Sequence, residues 1–412
     1  MKIKFNEKIY HEVINGIPML LNVGNGLIVG LDKEGNEFIK KVLNKDIEFD
    51  YSQLSYNLKE LVTHLGNNNF LEHSFEKSNR EEIAFAYLHI TNRCNLNCVG
   101  CYSMNDKRNV ETDLDIEYIK KSIDYLSEVN IDTVIISGGE TLIRTDIGEI
   151  CRYLKKKKIN NIVIITNGTI VNKNILKDIK GFVDTISVSI DTYNENTEGF
   201  IRDKGIHNKI IKNIKKMKEY GFNISLLPTL HKYNYEDLQK FVELSKELNI
   251  SISFSILTTT DEEPYSSLIF ENEDLKGLAK ELYYANVPFY NAPVHQSLQA
   301  TDGCGAGSDM ISIGSDGSIY PCHMLMEPSM KLGNIKDKNL IEAKQDINNE
   351  FFINYTVNDL EGCKNCEVKF LCGGGCRARA FMHTKDIKGK DPYCQMYYSF
   401  YMELTNEVKK NI

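Results

Sequence analysis

The 412-residue chain has no apolar run long enough to span a bilayer, so no transmembrane helix is expected. No export signal is expected either: Met1-Lys2-Ile3-Lys4-Phe5-Asn6 leads into polar sequence, and the later run 17–31 is broken by Asn and Gly. There is no basic surplus, with 49 Lys and Arg against 57 Asp and Glu and a net charge of −8, which argues against a nucleic-acid partner. Two lysine clusters, Lys155–Lys158 and Lys212–Lys218, fall on predicted helices and read as solvated faces. Trp is absent, from which nothing follows. What the chain does hold is 11 cysteines, and without a secretory context a reducing, cytoplasmic setting makes such density read as metal ligation before disulfides. The length and the 42% hydrophobic content suit a soluble globular protein of more than one domain.

Cys94, Cys98 and Cys101 stand in a C-x3-C-x2-C loop directly behind an apolar strand. A trio this close is no closed disulfide set, whereas three thiolates can hold three corners of a four-iron cube and leave its fourth iron open. A zinc site or unrelated core thiols are the bland alternative. The next strand ends in Ser137-Gly138-Gly139-Glu140, and together the motifs resemble the radical S-adenosylmethionine (SAM) superfamily. The resemblance implies that the open iron chelates the amino and carboxylate groups of SAM, and that reductive cleavage gives a 5′-deoxyadenosyl radical which abstracts a substrate hydrogen. It further implies that Ser137, Gly138, Gly139 and Glu140 hold the SAM amino group, and that Arg202 reaches its carboxylate. Strand alternation points Ser187, Ser189 and Asp191 to one side, at the family position where polar groups contact the ribose. Asn167-Gly168 reads as a rim turn, and His89 as a hydrogen-bonded core histidine. Two departures stand out. The aromatic residue that often precedes the last cysteine is Gly100 here, with Tyr102 as its substitute near the adenine, and the usual proline after Gly-Gly-Glu is Thr141.

The fold class expected is α/β. Apolar strands at 84–90, 133–136, 162–166, 183–190, 224–230 and 252–257 alternate with helical stretches, a pattern of parallel strands buried on both faces. Six such units give a partial (β/α)6 barrel of the TIM type, with the chemistry on loops at the C-terminal strand ends, at 84–257. Ahead of it, residues 1–78 carry three short strands with hairpin turns at Asn15-Gly16 and Gly24-Asn25-Gly26, then helices, with 74–82 as linker. This unit resembles the winged-helix-like precursor-recognition domain fused to many peptide-modifying enzymes, which implies that a leader peptide adds a strand to its sheet edge. A plain extension packed on the barrel is the alternative. Residues 258–303 bridge to a second cysteine set.

That set reads Cys304-x12-Gly317-x4-Cys322, then Cys363-x2-Cys366-x5-Cys372-x3-Cys376, then Cys394. It matches the seven-cysteine pattern of the SPASM domain, placed at 304–400 with a helical tail at 401–412; a zinc ribbon is the alternative for Cys363-x2-Cys366 alone. Two cubes need eight corners, and the region offers seven cysteines. The resemblance implies a distal auxiliary cluster on Cys363, Cys366, Cys372 and Cys394 and a proximal one on Cys304, Cys322 and Cys376, three [4Fe-4S] clusters in all. The proximal cluster then has an open corner able to bind a substrate thiolate, with His295, Asp302 and His323 as alternative fourth ligands. His323 also stands where formylglycine-generating relatives place a proton-accepting aspartate, which makes it a catalytic candidate and weakens the sulfatase-maturing reading.

The function expected is a peptide maturase forming thioether crosslinks in a ribosomally made precursor, as sactipeptide and ranthipeptide synthases do. It would draw electrons from a donor such as flavodoxin or ferredoxin. Carbon–carbon or carbon–oxygen crosslinking is an alternative chemistry, and an iron–sulfur peptide-binding protein without catalysis is the alternative class.

Overall fold

The computed structural model describes residues 4–44, 51–72, 83–103, 108–202, 204–258, 265–285, 298–346 and 349–411. The linker expected at 74–82 and the ligand candidate His295 lie outside these residues.

Strands β1 (Ile9–Ile14), β2 (Ile17–Asn22) and β3 (Ile28–Gly30) form an antiparallel sheet in that order. Asn15 and Gly16 turn β1 into β2 at φ of 51° and 78°, backbone that Asn and Gly adopt at least cost. Helices α1 (Lys33–Leu43) and α2 (Tyr56–Asn67) follow, the first capped by Asp32, whose Oδ1 accepts from Gly35 N at 2.7 Å. Alternation along β2 serves two cores. Leu20 packs with Phe38, Ile39, Val62 and Leu65 inside the unit, while Ile17, Met19 and Leu21 join the main core of the molecule. The unit is seated on the C-terminal cysteine-rich region: Tyr10 stacks on Phe370 at 4.1 Å, Glu12 pairs with Lys369 at 3.2 Å, and Asn15 Nδ2 donates to Asn406 Oδ1 at 2.7 Å.

Strands β4 (Phe85–Thr91), β5 (Thr133–Gly138), β6 (Asn161–Thr166), β7 (Thr185–Ile190) and β8 (Ile224–Leu230) lie parallel and adjacent in sequence order. Helices α3 (Ile116–Glu128), α4 (Ile147–Lys156), α5 (Lys173–Ile179), α6 (His207–Glu219) and α7 (Leu238–Leu248) alternate with them. The sixth strand is split into β9 (Ser251–Ile252) and β10 (Ser255–Ile256), both paired with β8. One parity of each strand packs under the helices, as with Leu88, Ile136, Val188 and Leu226. The other parity turns Tyr87, Ile135, Ser137, Ser189 and Asp191 to the opposite face, where Tyr87 and Ile135 pack with Ala306, Cys322 and Leu325 of the C-terminal region.

That closure comes from an element absent from the expected fold. After α8 (Asn272–Ala285), strand β11 (Met310–Ile313) pairs in parallel with β4, and β12 (Ser318–Tyr320) and β13 (Gly333–Asn334) continue the same sheet. Four residues are too few to show a period in the sequence. The consequence for the site is direct, since Cys304 and Cys322 flank this hairpin and are thereby fixed to the sheet that carries the Cys94 loop. The last helix, Cys394–Lys410, runs unbroken through 400–401, where a separate tail was expected, and buries Met396, Tyr397, Phe400 and Tyr401.

Candidate functional site

All 11 cysteines are free thiols. Ten of them lie in three groups. Cys98 lies within electrostatic reach of Cys94 and Cys101, Cys322 of Cys304 and Cys376, and Cys363 of both Cys366 and Cys394, with Cys372 beside Cys363 and Cys394. The last four line one small cavity with Gly374 and Gly375. The eleventh, Cys151, is fully buried on α4 in the main core, away from all three groups. Among the described residues no three His, Cys, Asp or Glu side chains converge as on a single metal ion. Burial pushes Cys98 up to about 12, partly offset by Arg202, and Cys363 up to about 11. These thiols stay protonated unless a metal displaces the proton, as metal ligands must allow.

The Cys94 loop is stitched to the end of β5 by backbone. Gly139 N donates to Thr91 O and Glu140 N to Arg93 O, each at 2.8 Å. A Cβ on Gly138 would stand 2.3 Å from Thr91 O, and one on Gly139 2.2 Å from Arg93 O. The two glycines thus admit the chain's own backbone. Glu140 is fully buried, and its carboxylate accepts from Leu142 N (2.9 Å), Thr166 Oγ1 (2.7 Å) and Asn167 N (2.7 Å). Burial raises its pKa despite these donors. Asn167 is more than a rim turn, because its Nδ2 lies 4.0 Å from Cys94 Sγ and 3.1 Å from Asn95 Oδ1.

Arg202 does not reach out to solvent. Its guanidinium pairs with Asp191 Oδ1, and its backbone N–H donates to Asp191 Oδ2 at 3.1 Å. Ser187 and Ser189 are buried on the same strand face as Asp191. Tyr102 donates to or accepts from Ser137 Oγ at 2.5 Å, with its ring edge against His89 and His323 at centroid distances of 5.9 and 5.4 Å. His323 stacks on Tyr87 at 3.7 Å with Nδ1 3.8 Å from Cys322 Sγ, and burial followed by neighbouring His89 pushes its pKa down to about 3. It is a neutral imidazole of suppressed basicity. His89 is buried at the same face, and its Nε2 has no hydrogen-bond partner among the described residues.

Three groups escaped the sequence reading. His231 follows β8, fully buried; Tyr233 N donates to its Nδ1 at 3.2 Å, which leaves the proton on Nε2, a donor without a partner beside Asp191. Arg379 and Asp391 form a fully buried bidentate pair at 2.7 Å for both bonds, and Asp391 also accepts from Cys376 N (2.6 Å) and Tyr393 N (2.8 Å). Only the alternation past the end of β8 offered a signal for the first; the pair had none.

Residues 88–245 match the radical SAM superfamily, and residues 304–367 match an iron–sulfur cluster-binding domain, SPASM. The AdoMet-dependent heme synthase of Methanosarcina barkeri is 28% identical over 335 residues, 74% of this chain and 94% of that protein. An uncharacterized protein of Methanocaldococcus jannaschii is 32% identical, over 62% of this chain and 90% of its own. The antilisterial bacteriocin subtilosin biosynthesis protein AlbA of Bacillus subtilis is 26% identical, over 69% of this chain and 65% of its own. Among solved structures, anSMEcpe with bound AdoMet has a TM-score of 0.64 at 21% identity, covering 80% of this chain and all of that one. Streptococcus suis SuiB bound to precursor peptide SuiA has a TM-score of 0.61 at 18% identity, covering 95% of this chain and all of that one. No helix among the described residues is long and apolar enough to cross a membrane.

Proposed function

The chain belongs to the radical SAM superfamily and carries a SPASM domain, and on that premise we propose that it is a peptide maturase forming thioether crosslinks in a ribosomally made precursor. The observation that carries the bond type is the grouping of the cysteines as three, three and four. The proximal set of Cys304, Cys322 and Cys376 has no further thiol in the chain to complete it, since Cys151 is committed to the core. An uncompleted corner is room for the thiolate of a substrate cysteine. The likeness to AlbA, named for subtilosin biosynthesis, and to SuiB, solved with its precursor peptide, supports a peptide substrate. The heme synthase relative leaves about a quarter of this chain uncovered, whereas the fold of SuiB extends over most of the N-terminal unit as well.

When bound, the cluster on Cys94, Cys98 and Cys101 and the SAM it chelates supply the reductive generation of a 5′-deoxyadenosyl radical. The chain's residues position and shield. Of the roughly four acceptor sites on the Glu140 carboxylate, three are taken by Leu142 N, Thr166 Oγ1 and Asn167 N, and the one left on Oε2 suits the ammonium of SAM. Asp191, held by Arg202, keeps lone pairs for ribose hydroxyls, with Ser187 and Ser189 beside it. The Nε2–H of His231 is available to an acceptor on a bound molecule at the same face. His323 and Tyr102 wall the space between the two cysteine sets, where His323 acts as a neutral contact rather than a strong base.

The deciding experiment is anaerobic incubation of the reconstituted enzyme with SAM, a reductant and the cysteine-containing peptide encoded beside its gene, then thiol alkylation and mass spectrometry. Loss of two hydrogens per crosslink together with loss of one alkylatable thiol is the expected result. The same hydrogen loss with every thiol still alkylatable would move the chemistry to carbon–carbon or carbon–oxygen bonds.

The precursor's leader is assigned to the N-terminal unit. Strand β3 pairs with β2 alone among the described residues, and Leu31 N and Leu27 O point to β2, so Ile28 and Gly30 present their backbone groups on the other edge. A groove beside it is lined by Leu31, Asp32, Asn57, Leu58 and Leu61. Deleting residues 1–78 is a poor test, because it would uncover the core that Ile17, Met19 and Leu21 complete. Leu58→Asp is better: a buried leucine contributes about 1.5–3 kcal/mol, so leader affinity measured by fluorescence anisotropy should fall roughly tenfold or more while peptide-independent SAM cleavage persists. Unchanged affinity would remove the assignment.

A further inference from the structure

Two arginines enter the cysteine-rich core side by side, and they are treated differently. Arg379 is neutralised by Asp391 through two hydrogen bonds. Arg377 has the same complete burial, yet its fork meets only carbonyl oxygens: Nη1 donates to Ile387 O at 3.1 Å and Gly389 O at 2.9 Å, Nη2 donates to Gly374 O, and Nε has no partner. Among the described residues no carboxylate pairs with it. An arginine cannot shed its proton, so a buried guanidinium without a counter-charge is costly. Something anionic must stand nearby in the working protein.

The thiols supply the candidate. Arg377 follows Cys376, and it lies within electrostatic reach of Cys304 in the three-cysteine set and of Cys363 and Cys394 in the four-cysteine set. The chain reaches this position through Gly373, Gly374 and Gly375, all in left-handed conformation at φ of 64°, 84° and 73°, which lets Cys372 and Cys376 face different groups within five residues. A glycine turn and a carbonyl cradle thus hold one fixed positive charge between two thiolate sets.

We propose that Arg377 is the shared counter-ion of the two auxiliary iron–sulfur clusters, and that it raises the reduction potential of both. The inference rests on the reading of those ten cysteines as ligands of three clusters. The physical ground is that thiolate-ligated clusters are anionic and gain further negative charge on reduction, so a nearby fixed cation favours the reduced form. Arg379, already neutralised, contributes no such field. Arg377 is a positioning and tuning residue, not one that touches substrate.

The test compares wild type, Arg377→Met and Arg377→Lys after anaerobic loading, with iron and sulfide quantified and cluster potentials read by EPR-monitored redox titration. The Met variant should show both auxiliary potentials shifted downward, with the potential of the cluster at Cys94, Cys98 and Cys101 unchanged as an internal control. The Lys variant, which keeps the charge and loses the fork, should lie near wild type. Unchanged auxiliary potentials in loaded Met variant, an equal shift of all three clusters, or a Lys variant as altered as Met would each overturn the proposal. A thermal measurement covers poor folding: Met should lower the melting temperature of loaded protein more than that of chelator-stripped protein, since only the loaded form offers the charge a partner. Equal losses would leave Arg377 with its carbonyl hydrogen bonds alone. Wild-type protein that takes up iron for the Cys94 loop only would overturn the auxiliary clusters, and the counter-ion with them.

Discussion

Cys94→Ala is expected to abolish 5′-deoxyadenosine formation, read by chromatography after incubation with SAM and dithionite, and to lower the iron content by one cluster while the other two stay loaded. The loop has no spare ligand. Cys94 is placed by its backbone N–H on Asn109 Oδ1 at 2.8 Å and by Asn167 near its sulfur, and Cys98 is anchored through Val99 N on Ile201 O at 2.8 Å. Two of the three corners are therefore presented by separate backbone contacts, and alanine at one leaves two thiols for an assembly that needs three. Neighbouring carboxylates do not substitute, because Glu140 is turned to Thr166 and Asn167 and Asp191 to Arg202. Product formation persisting in the variant would remove the assignment of this loop.

The second large effect is expected at a residue far from that loop. Asp391→Asn should cost about 3–5 kcal/mol, the usual penalty for leaving one partner of a buried pair uncompensated, and should lower auxiliary iron content. Asp391 accepts four hydrogen bonds, two from Arg379 and one each from Cys376 N and Tyr393 N, so it ties Cys376 to the segment that leads into Cys394. An amide offers one acceptor oxygen, points a donor at donors, and strands Arg379. The effect also has a pH signature. Burial alone would raise the Asp391 pKa, but the Arg379 guanidinium and the backbone donors outweigh it and hold it below the ordinary value. With the folded pKa depressed, this stabilisation is fully present above the unfolded value of about 3.9 and is lost as the pH falls through the folded one. Acid unfolding followed by circular dichroism should show that loss in wild type and not in Asp391→Asn, and identical acid limbs would refute the pair's role.

How much of this was legible beforehand can be read from particular residues. The Cys94 loop and Gly-Gly-Glu are local spacings, and ligand chemistry depends on how many thiols a short segment can bring together, whereas the division of the second cysteine set into two groups was implied by the family resemblance and not by order along the chain. The parallel strands were legible for a related reason: near-continuous Ile, Val and Leu runs such as 224–230 are what a strand buried on both faces must be. Three short strands followed by helices also came out in the order expected, because Asn-Gly turns are short-range signals.

Contacts between distant segments were not legible. Nothing in Met310–Ile313 announces that it will pair with β4 some two hundred residues earlier, since a strand's partner is set by which edge the finished sheet leaves open. Glu140 reads as a ligand in its motif, and only the folded chain shows most of its acceptor capacity spent on Thr166, Asn167 and Leu142. The same holds for charge. Arg377 and Arg379 are two residues apart and alike on paper, and the tertiary structure alone decided that one meets Asp391 and the other a ring of carbonyls between two thiolate sets. The sequence by itself determined which chemistry the protein carries, because that rests on residue types at short spacing. The fold decided how the clusters' surroundings are charged, because burial and long-range pairing set the electrostatic cost of every group within them.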